Sequence, residues 1–98
     1  MFTLKFTKEA LYDIEEIIFW YEDKRYGLSH DFELCLEIGL AEIVRNPQLF
    51  QKKYKLVKVR FIKRFPFGIH YILKGNEIII LGVFHTSRSP KSWKDRKL

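Results

Sequence analysis

Apolar residues recur every three or four positions through the first half of the chain, which is the spacing of helices that bury one face. The first stripe consists of Leu11, Ile14, Ile18 and Tyr21, and the second of Phe32, Leu36, Leu40 and Ile43. Gly27 separates the stripes, and Pro47 ends the second because proline disfavours helix at the preceding residue. The pattern predicts an antiparallel helix hairpin, in which Gly39 would let the two helices approach closely.

The period changes to two in the remaining segments, which is typical of strands. Phe2, Leu4 and Phe6 alternate with polar residues, and the same alternation starts again at Tyr54. "FGIHYIL" and "EIIILGVFH" follow, joined by the tight turn "KGN". We expect an α+β fold of order β-α-α-β-β-β, formed by residues 1–98 as a single domain. The helix hairpin would pack on one face of a small, mainly antiparallel sheet and leave the other face partly exposed.

The net charge of +6 is divided unevenly along the chain. Residues 1–50 carry five Lys and Arg against ten Asp and Glu, whereas residues 51–98 carry thirteen against two. A basic half of this density attracts a polyanion or an acidic partner. Alternation places Lys58, Arg60 and Arg64 on the same side of the predicted sheet, and arginine can bind two phosphate oxygens at once. These three residues are candidates for a binding face, although basic residues also serve simply to solubilise a surface.

Several classes of function find no support in the sequence. Cys35 is the only cysteine, and the three histidines lie far apart, so we predict neither a disulfide nor a metal site. No glycine-rich phosphate loop occurs, and we expect no cofactor. No apolar run has the length of a membrane span and the N-terminus lacks the form of a signal peptide, which indicates a cytoplasmic protein without a membrane partner.

The segment "VFHTSRSPKSWKDR" holds the remaining candidate chemistry. His85 could transfer protons near neutral pH, or it could fix the turn that follows the last strand. Trp93 could stack on a base, or it could pin the C-terminal segment onto the body of the protein. The predicted target- or nucleic-acid-binding residues are Lys58, Arg60, Arg64, Arg88, Trp93 and Arg96. If the protein is a ribonuclease, the predicted catalytic set is His85, Arg60, Arg64 and Arg88.

Taken together, these segments resemble the RelE/ParE superfamily of bacterial type II toxins. The matching pieces, in chain order, are "TKEALYDIEEIIFWYE", "RNP", Arg60, "FPFGIHY" and "VFHTSRSPKSWKDR". They extend over nearly the whole chain, and their order and spacing are more specific than any one of them. The resemblance implies a small toxin of the kind found in plasmid stabilization modules, neutralised by a cognate acidic antitoxin encoded beside it.

The branches of this superfamily imply different mechanisms. RelE-like members cut messenger RNA on the ribosome without a metal, whereas ParE-like members inhibit DNA gyrase by binding. The sequence is more similar to the ParE-like branch, because Gly68 stands where the RelE-like pattern has an arginine and the RelE-like C-terminal tyrosine is missing. We therefore expect a gyrase-binding growth inhibitor that is not an enzyme.

Two alternatives remain open from the sequence. In the first, the protein is a RelE-like endoribonuclease, with His85 as general acid or base and the arginines stabilising negative charge on ribosome-bound mRNA. In the second, it is a basic nucleic-acid-binding module without toxicity. All three hypotheses require the basic side chains of the C-terminal half to converge on one surface.

Overall fold

A computed structural model of the chain describes residues 1–88 and 93–96. Two helices and five strands follow one another in the order β-α-α-β-β-β-β. The helices are α1 (Lys8–Lys24) and α2 (Leu28–Arg45), and the strands are β1 (Thr3–Phe6), β2 (Lys52–Tyr54), β3 (Val57–Phe61), β4 (Phe67–Lys74) and β5 (Glu77–His85). The predicted α+β fold is confirmed, and the basic segment after the helices contributes one strand more than expected.

The five strands form one mixed sheet in the order β1-β5-β4-β3-β2. The last four strands in the chain pair antiparallel, while β1 lies parallel to β5 and covers only Glu77 to Ile80. The turn between β4 and β5 contains Gly75 with φ of 62°, a left-handed conformation that glycine adopts without steric cost. The extra strand β2 has three residues, and its register against β3 shifts between Lys52 and Tyr54.

Local sequence explains where the helices begin and end. The Thr7 side chain accepts a hydrogen bond from the backbone N–H of Ala10, which caps α1. Helix α2 begins at Leu28, directly after Gly27, which occupies the cap position in the left-handed region. Helix α2 ends at Arg45 before Asn46 and Pro47, as the sequence predicts.

The helices cover one face of the sheet and form the main core there. Its largest buried members include Phe32 and Ile43 from α2 and Tyr71 and Ile80 from the sheet. The Tyr71 hydroxyl donates to the carbonyl of Pro47 at 2.7 Å, and burial raises its pKa to about 12.

Gly39 lies in this core, and the reason predicted for it was wrong. A Cβ at Gly39 would lie 3.0 Å from Cδ1 of Ile69 on β4. The glycine therefore lets α2 approach the sheet, and the contact that needs the space is not the one with α1.

A bulge in β5 shapes the edge of the sheet next to α1. His70 pairs with Gly82 and Tyr71 pairs with Ile80, so Leu81 is an extra residue on the β5 side. Asp13 of α1 accepts the backbone N–H of Val83 at 3.1 Å, just beyond the end of β1. A side-chain carboxylate thus replaces a strand partner at the point where β1 leaves the sheet for α1.

Candidate functional site

The sheet face opposite the helices carries a small core of its own. Val57, Ile79 and Leu81 are buried there, and an aromatic cluster lies beside them. The cluster contains Tyr54, His70, Phe84 and Trp93, with neighbouring ring centroids 4.6 to 5.9 Å apart. This face is therefore partly covered by the protein itself.

Trp93 brings the C-terminal segment onto this face. Its side chain is buried, its ring lies 4.6 Å from that of Tyr54, and its carbonyl accepts the Tyr54 hydroxyl at 3.3 Å. In this position little of the indole is left exposed. The geometry matches the structural alternative for Trp93, while its role in target binding remains a prediction. Pro90, which belongs to the same C-terminal segment, lies outside the described residues.

His70 lies at the bottom of the same region and is the most buried polar residue in the described part of the chain. Burial, followed by the nearby charges of Lys53 and Arg96, lowers its pKa to about 4. The imidazole is thus neutral at physiological pH. Its Nδ1 is within hydrogen-bond distance of the Tyr54 hydroxyl at 3.3 Å, so the ring helps to hold the aromatic cluster.

A cleft of about 250 Å³ opens beside this cluster. Its charged and titratable lining residues are Lys53, His70, His85 and Arg88, and its apolar walls include Phe61, Phe84 and Trp93. Arg88 is exposed at the rim, and Lys53 lies within 6.0 Å of the Trp93 ring. Two cations and a histidine around a concave surface suit a phosphate or a carboxylate. We call this the open-face cleft.

His85 stands between the cleft and the turn after β5. Its Nδ1 accepts the backbone N–H of Ser87 at 3.0 Å and lies 2.7 Å from the Ser87 hydroxyl oxygen. Its ring contacts Phe67 edge-on with centroids 5.2 Å apart. These contacts fix the turn, which is the structural alternative, and they leave the catalytic role of His85 a prediction.

Lys58 and Arg60 do not lie on the open face, and their predicted placement there is wrong. Each stands opposite a core residue of β4, Tyr71 and Ile69 respectively, so both point toward the helices. Lys58 Nζ donates to the carbonyl of Phe50 at 2.7 Å.

The Arg60 side chain also points toward the helices. Its guanidinium forms an ion pair with Glu42 of α2 and lies over the Phe50 ring. The pKa of Glu42 is lowered, mainly by this hydrogen bond. The prediction that Lys58 and Arg60 share one face of β3 was correct. The prediction that this is the face away from the helices was wrong.

The remaining predicted cations are also dispersed. Arg64 lies in the turn between β3 and β4, with a positive φ of 73°. Arg96 binds Asp13 and the carbonyl of Leu81 at the α1 edge of the sheet. Among the predicted cations, only Arg88 lines the open-face cleft. The expected convergence of all these cations on one surface is therefore wrong, and a binding face on this side has to rest on Lys53 and Arg88.

Sequence reasoning missed two residues of the cleft. Lys53 belongs to the short strand that the pattern did not resolve, and it stood in a run of lysines without a distinguishing signal. His70 was not among the predicted site residues, yet its position between Ile69 and Tyr71 in an apolar strand is the pattern of a buried histidine.

Gly68 occupies the position at which the RelE-like pattern has an arginine. A Cβ there would lie 2.9 Å from Cγ1 of Val59 and 3.3 Å from Cδ1 of Phe61. The side chains of Val59 and Phe61 on β3 therefore fill the space beside Gly68, and both would have to move to admit a larger residue.

Two searches of the described residues bear on other kinds of site. No group of three or more His, Cys, Asp and Glu side chains is placed to hold a metal ion in residues 1–88 and 93–96. In the same ranges, no helix combines the length and the apolar character needed to cross a membrane.

The architecture, two helices on one face of a mixed five-stranded sheet, is shared with a solved toxin–antitoxin system. A chain of the chromosomal ParDE TA system from P. aeruginosa superposes with a TM-score of 0.65 at 23% identity, over 87% of this chain and 96% of that chain. At this identity the likeness concerns the fold. No curated protein is similar enough to be reported as a relative.

A family model extends the likeness from fold to sequence. The model for the ParE toxin of the type II toxin-antitoxin system, parDE, matches residues 4–90. The chain therefore belongs to the ParE toxin family.

Proposed function

We propose that this chain is an active toxin that arrests growth by binding and inhibiting DNA gyrase. Membership of the ParE family supports the toxin assignment. The gyrase target is supported by one structural observation, which is that the predicted ribonuclease set is not assembled. Arg60 is held in an ion pair with Glu42 of α2 and Arg64 lies in the turn between β3 and β4, whereas Arg88 is exposed in the turn after β5.

The separation matters because acid–base cleavage of RNA needs its groups around one phosphate. A general base must be within hydrogen-bond reach of the proton it removes, and a charge-stabilising donor must lie near the developing charge. Arg60 cannot meet either condition at the open-face cleft without leaving Glu42 and crossing the sheet. Inhibition by binding needs no such arrangement.

Purified gyrase provides the direct test of this proposal. The toxin should inhibit ATP-dependent supercoiling of relaxed plasmid, and Arg88→Ala should weaken that inhibition because it removes the exposed cation of the cleft. Lys63→Ala, which removes an exposed cation from the turn after β3, is the matched control and should inhibit like the wild type. Undiminished supercoiling at toxin excess over gyrase would refute the target.

A second candidate is a ribosome-dependent endoribonuclease, and the open-face cleft itself favours it. Lys53, His85 and Arg88 could surround one phosphate there without Arg60. In that case Lys53→Ala and Arg88→Ala would each abolish codon-positioned cleavage of mRNA on purified ribosomes, and gyrase would be unaffected.

The proposal includes an antitoxin partner and a cytoplasmic site of action. The solved structure that shares this fold is a toxin-antitoxin system, and the basic second half of the chain suits an acidic partner segment. Gyrase acts on chromosomal DNA, so the toxin would act in the cytoplasm. Co-expression with the product of the small adjoining reading frame should restore growth and yield a stable complex.

A further inference from the structure

The open-face cleft contains cations that no neighbouring carboxylate neutralises. Three cations elsewhere in the fold, Lys5, Arg60 and Arg96, each form a salt bridge. Within the described ranges, neither Lys53 nor Arg88 forms one, and no acidic side chain lines the cleft. An anion that enters the cleft therefore meets two positive charges that are still available to it.

Neutral polar groups add hydrogen-bond donors to this basic lining. His85 accepts the Ser87 N–H at Nδ1 with a distance of 3.0 Å, so its neutral ring carries the proton on Nε2 and can donate from there. Thr86 contributes a hydroxyl group to the lining of the cleft. Phosphate oxygens accept hydrogen bonds from groups of all these kinds, whereas an apolar ligand would leave them without partners.

Phe61 provides a flat apolar surface beside these donors. It lies at the end of β3, lines the cleft and is 51% exposed. Lys53 Nζ lies 5.9 Å from the centre of the Phe61 ring, so a cation and an exposed ring are immediate neighbours. Sites for single-stranded nucleic acid combine the same two elements, an aromatic ring that stacks on a base and a cation that contacts the backbone.

The size of the cleft restricts the ligand to a small unit. Its volume is about 250 Å³, slightly below the range of about 300–1,000 Å³ typical of pockets that enclose a drug-sized molecule. Gly68 lines the cleft without a side chain, and the Phe61 ring lies against that position. A concave surface of this size admits one unpaired base with its phosphate, whereas the bases of a closed duplex are stacked out of reach.

We propose that the open-face cleft binds one nucleotide of single-stranded DNA, with the base stacked on Phe61 and the phosphate held by Lys53 and Arg88. The basic second half of the chain would attract the rest of the strand. This inference goes beyond the proposed function, because it gives the toxin a DNA contact of its own. It rests on the proposed function only for the source of the ligand, which is the DNA that gyrase holds.

Fluorescence anisotropy of a labelled oligo(dT) of about ten nucleotides tests the site on the purified toxin. Lys53→Ala and Arg88→Ala should each weaken binding by about tenfold, the loss expected for a hydrogen bond to a charged group. Each should also reduce the salt dependence, by about 0.7 in the slope of log K against log salt concentration, because one phosphate contact is lost. Lys63→Ala removes an exposed cation outside the cleft and should retain the wild-type affinity and slope.

Substitutions of Phe61 separate stacking from packing. Phe61→Leu keeps an apolar side chain beside Gly68 but removes the flat ring, and it should weaken binding of oligo(dT) by about tenfold, the loss expected for one base stacked on an aromatic ring. Phe61→Tyr keeps the ring and should bind like the wild type. Leu56→Ala removes a more exposed apolar side chain that does not line the cleft, and it should also bind like the wild type.

Two results would overturn the nucleotide site. The first is the absence of oligo(dT) binding by the wild type, and the second is wild-type affinity in the Lys53, Arg88 and Phe61→Leu variants. A comparison of oligo(dU) with oligo(U), which differ only in the 2′-hydroxyl, tests the kind of strand. DNA should bind at least as tightly as RNA, and tighter binding of RNA would overturn the assignment to DNA.

Failure of the proposed function gives a different result. If the toxin binds oligo(dT) through the cleft but leaves supercoiling by gyrase unchanged, the nucleotide site is supported and the gyrase target is wrong. If the toxin inhibits supercoiling but binds no oligo(dT), the target is supported and the nucleotide site is wrong. Loss of both activities in Arg88→Ala, with both retained in Lys63→Ala, supports the two proposals together.

Discussion

Asp13 and Arg96 join the first helix to the C-terminal segment at the part of the β5 edge that β1 does not reach. The guanidinium nitrogen of Arg96 lies 2.9 Å from the Asp13 carboxylate and 3.0 Å from the carbonyl of Leu81. The same carboxylate accepts Val83 N–H. The guanidinium also lies 4.7 Å from the centre of the Phe84 ring. One partly buried ion pair thus closes the β5 bulge and holds residues 93–96 against α1.

Removal of this arginine should loosen the C-terminal segment. Arg96→Ala is expected to lower the free energy of unfolding by about 1–3 kcal/mol, because the Asp13 carboxylate and the Leu81 carbonyl each lose a charged donor. Urea denaturation measures the change, and Trp93 fluorescence should shift toward that of exposed indole. Lys94→Ala, an exposed neighbour on the same segment, should leave both quantities unchanged. Equal stability of the two variants would show that the ion pair does not hold the segment.

His70 should make stability depend on pH below neutrality. Its pKa is about 4 in the folded protein, against 6.5 for an exposed histidine, because burial disfavours the charged ring. Between these pH values the unfolded chain binds the proton and the folded chain does not. The free energy of unfolding should therefore fall as the pH drops from about 6.5 to about 4, by up to about 3 kcal/mol, and His70 should have no effect on the slope above that window.

Comparison with a ring that cannot be protonated isolates this contribution. His70→Phe keeps an aromatic ring between Phe84 and Trp93 and should flatten the stability profile between pH 6.5 and 4. His30→Gln replaces an exposed histidine and should retain the wild-type slope. A slope that is the same in all three proteins would mean that His70 titrates normally in the fold.

The Arg60–Glu42 pair should behave as a structural contact. Arg60→Ala and Glu42→Ala are each expected to lower the urea midpoint, and the double variant should lose much less than the sum of the two, because the second substitution removes a partner already lost. A double-mutant cycle gives the coupling. Additive losses would mean that the pair is not formed in solution, and Arg60 would then be free for the binding role predicted from the sequence.

Gly82 is required by the packing around the β5 bulge. A Cβ at this position would lie 2.5 Å from Cε2 of Phe84 and 2.8 Å from the Asp13 carboxylate. Gly82→Ala should therefore destabilise the fold by about 1–3 kcal/mol through overpacking. Gly75→Asn is the control, since that turn has open space and asparagine tolerates its positive φ. Thermal unfolding of the two variants measures the difference, and a stable Gly82→Ala protein would contradict the packing described for Phe84.

The periodicity of the sequence was sufficient for the architecture. Helix boundaries at Thr7 and Asn46 depend on capping and on the proline that follows, and both are local signals. The β4–β5 hairpin depends on one glycine turn. The short strand β2 could not be predicted, because three residues with a register shift carry too little alternation to be recognised.

The candidate site was harder to predict because it depends on which face of the sheet the helices cover. Alternation groups Lys58 with Arg60 correctly, but only the long-range contacts with Phe50 and Glu42 show that the pair points toward the helices. Alternation also could not show that Trp93, far along the chain, would return to cover His70. Residues that meet through tertiary packing have no fixed spacing in sequence.

The most direct test of the central claim is to induce the toxin in growing cells and map gyrase-linked DNA breaks and mRNA ends in the same cultures. The account predicts growth arrest with gyrase-linked breaks and an unchanged pattern of transcript ends, and it predicts that Arg88→Ala reduces both the arrest and the breaks. Codon-positioned cuts in ribosome-bound mRNA, without DNA breaks, would contradict it.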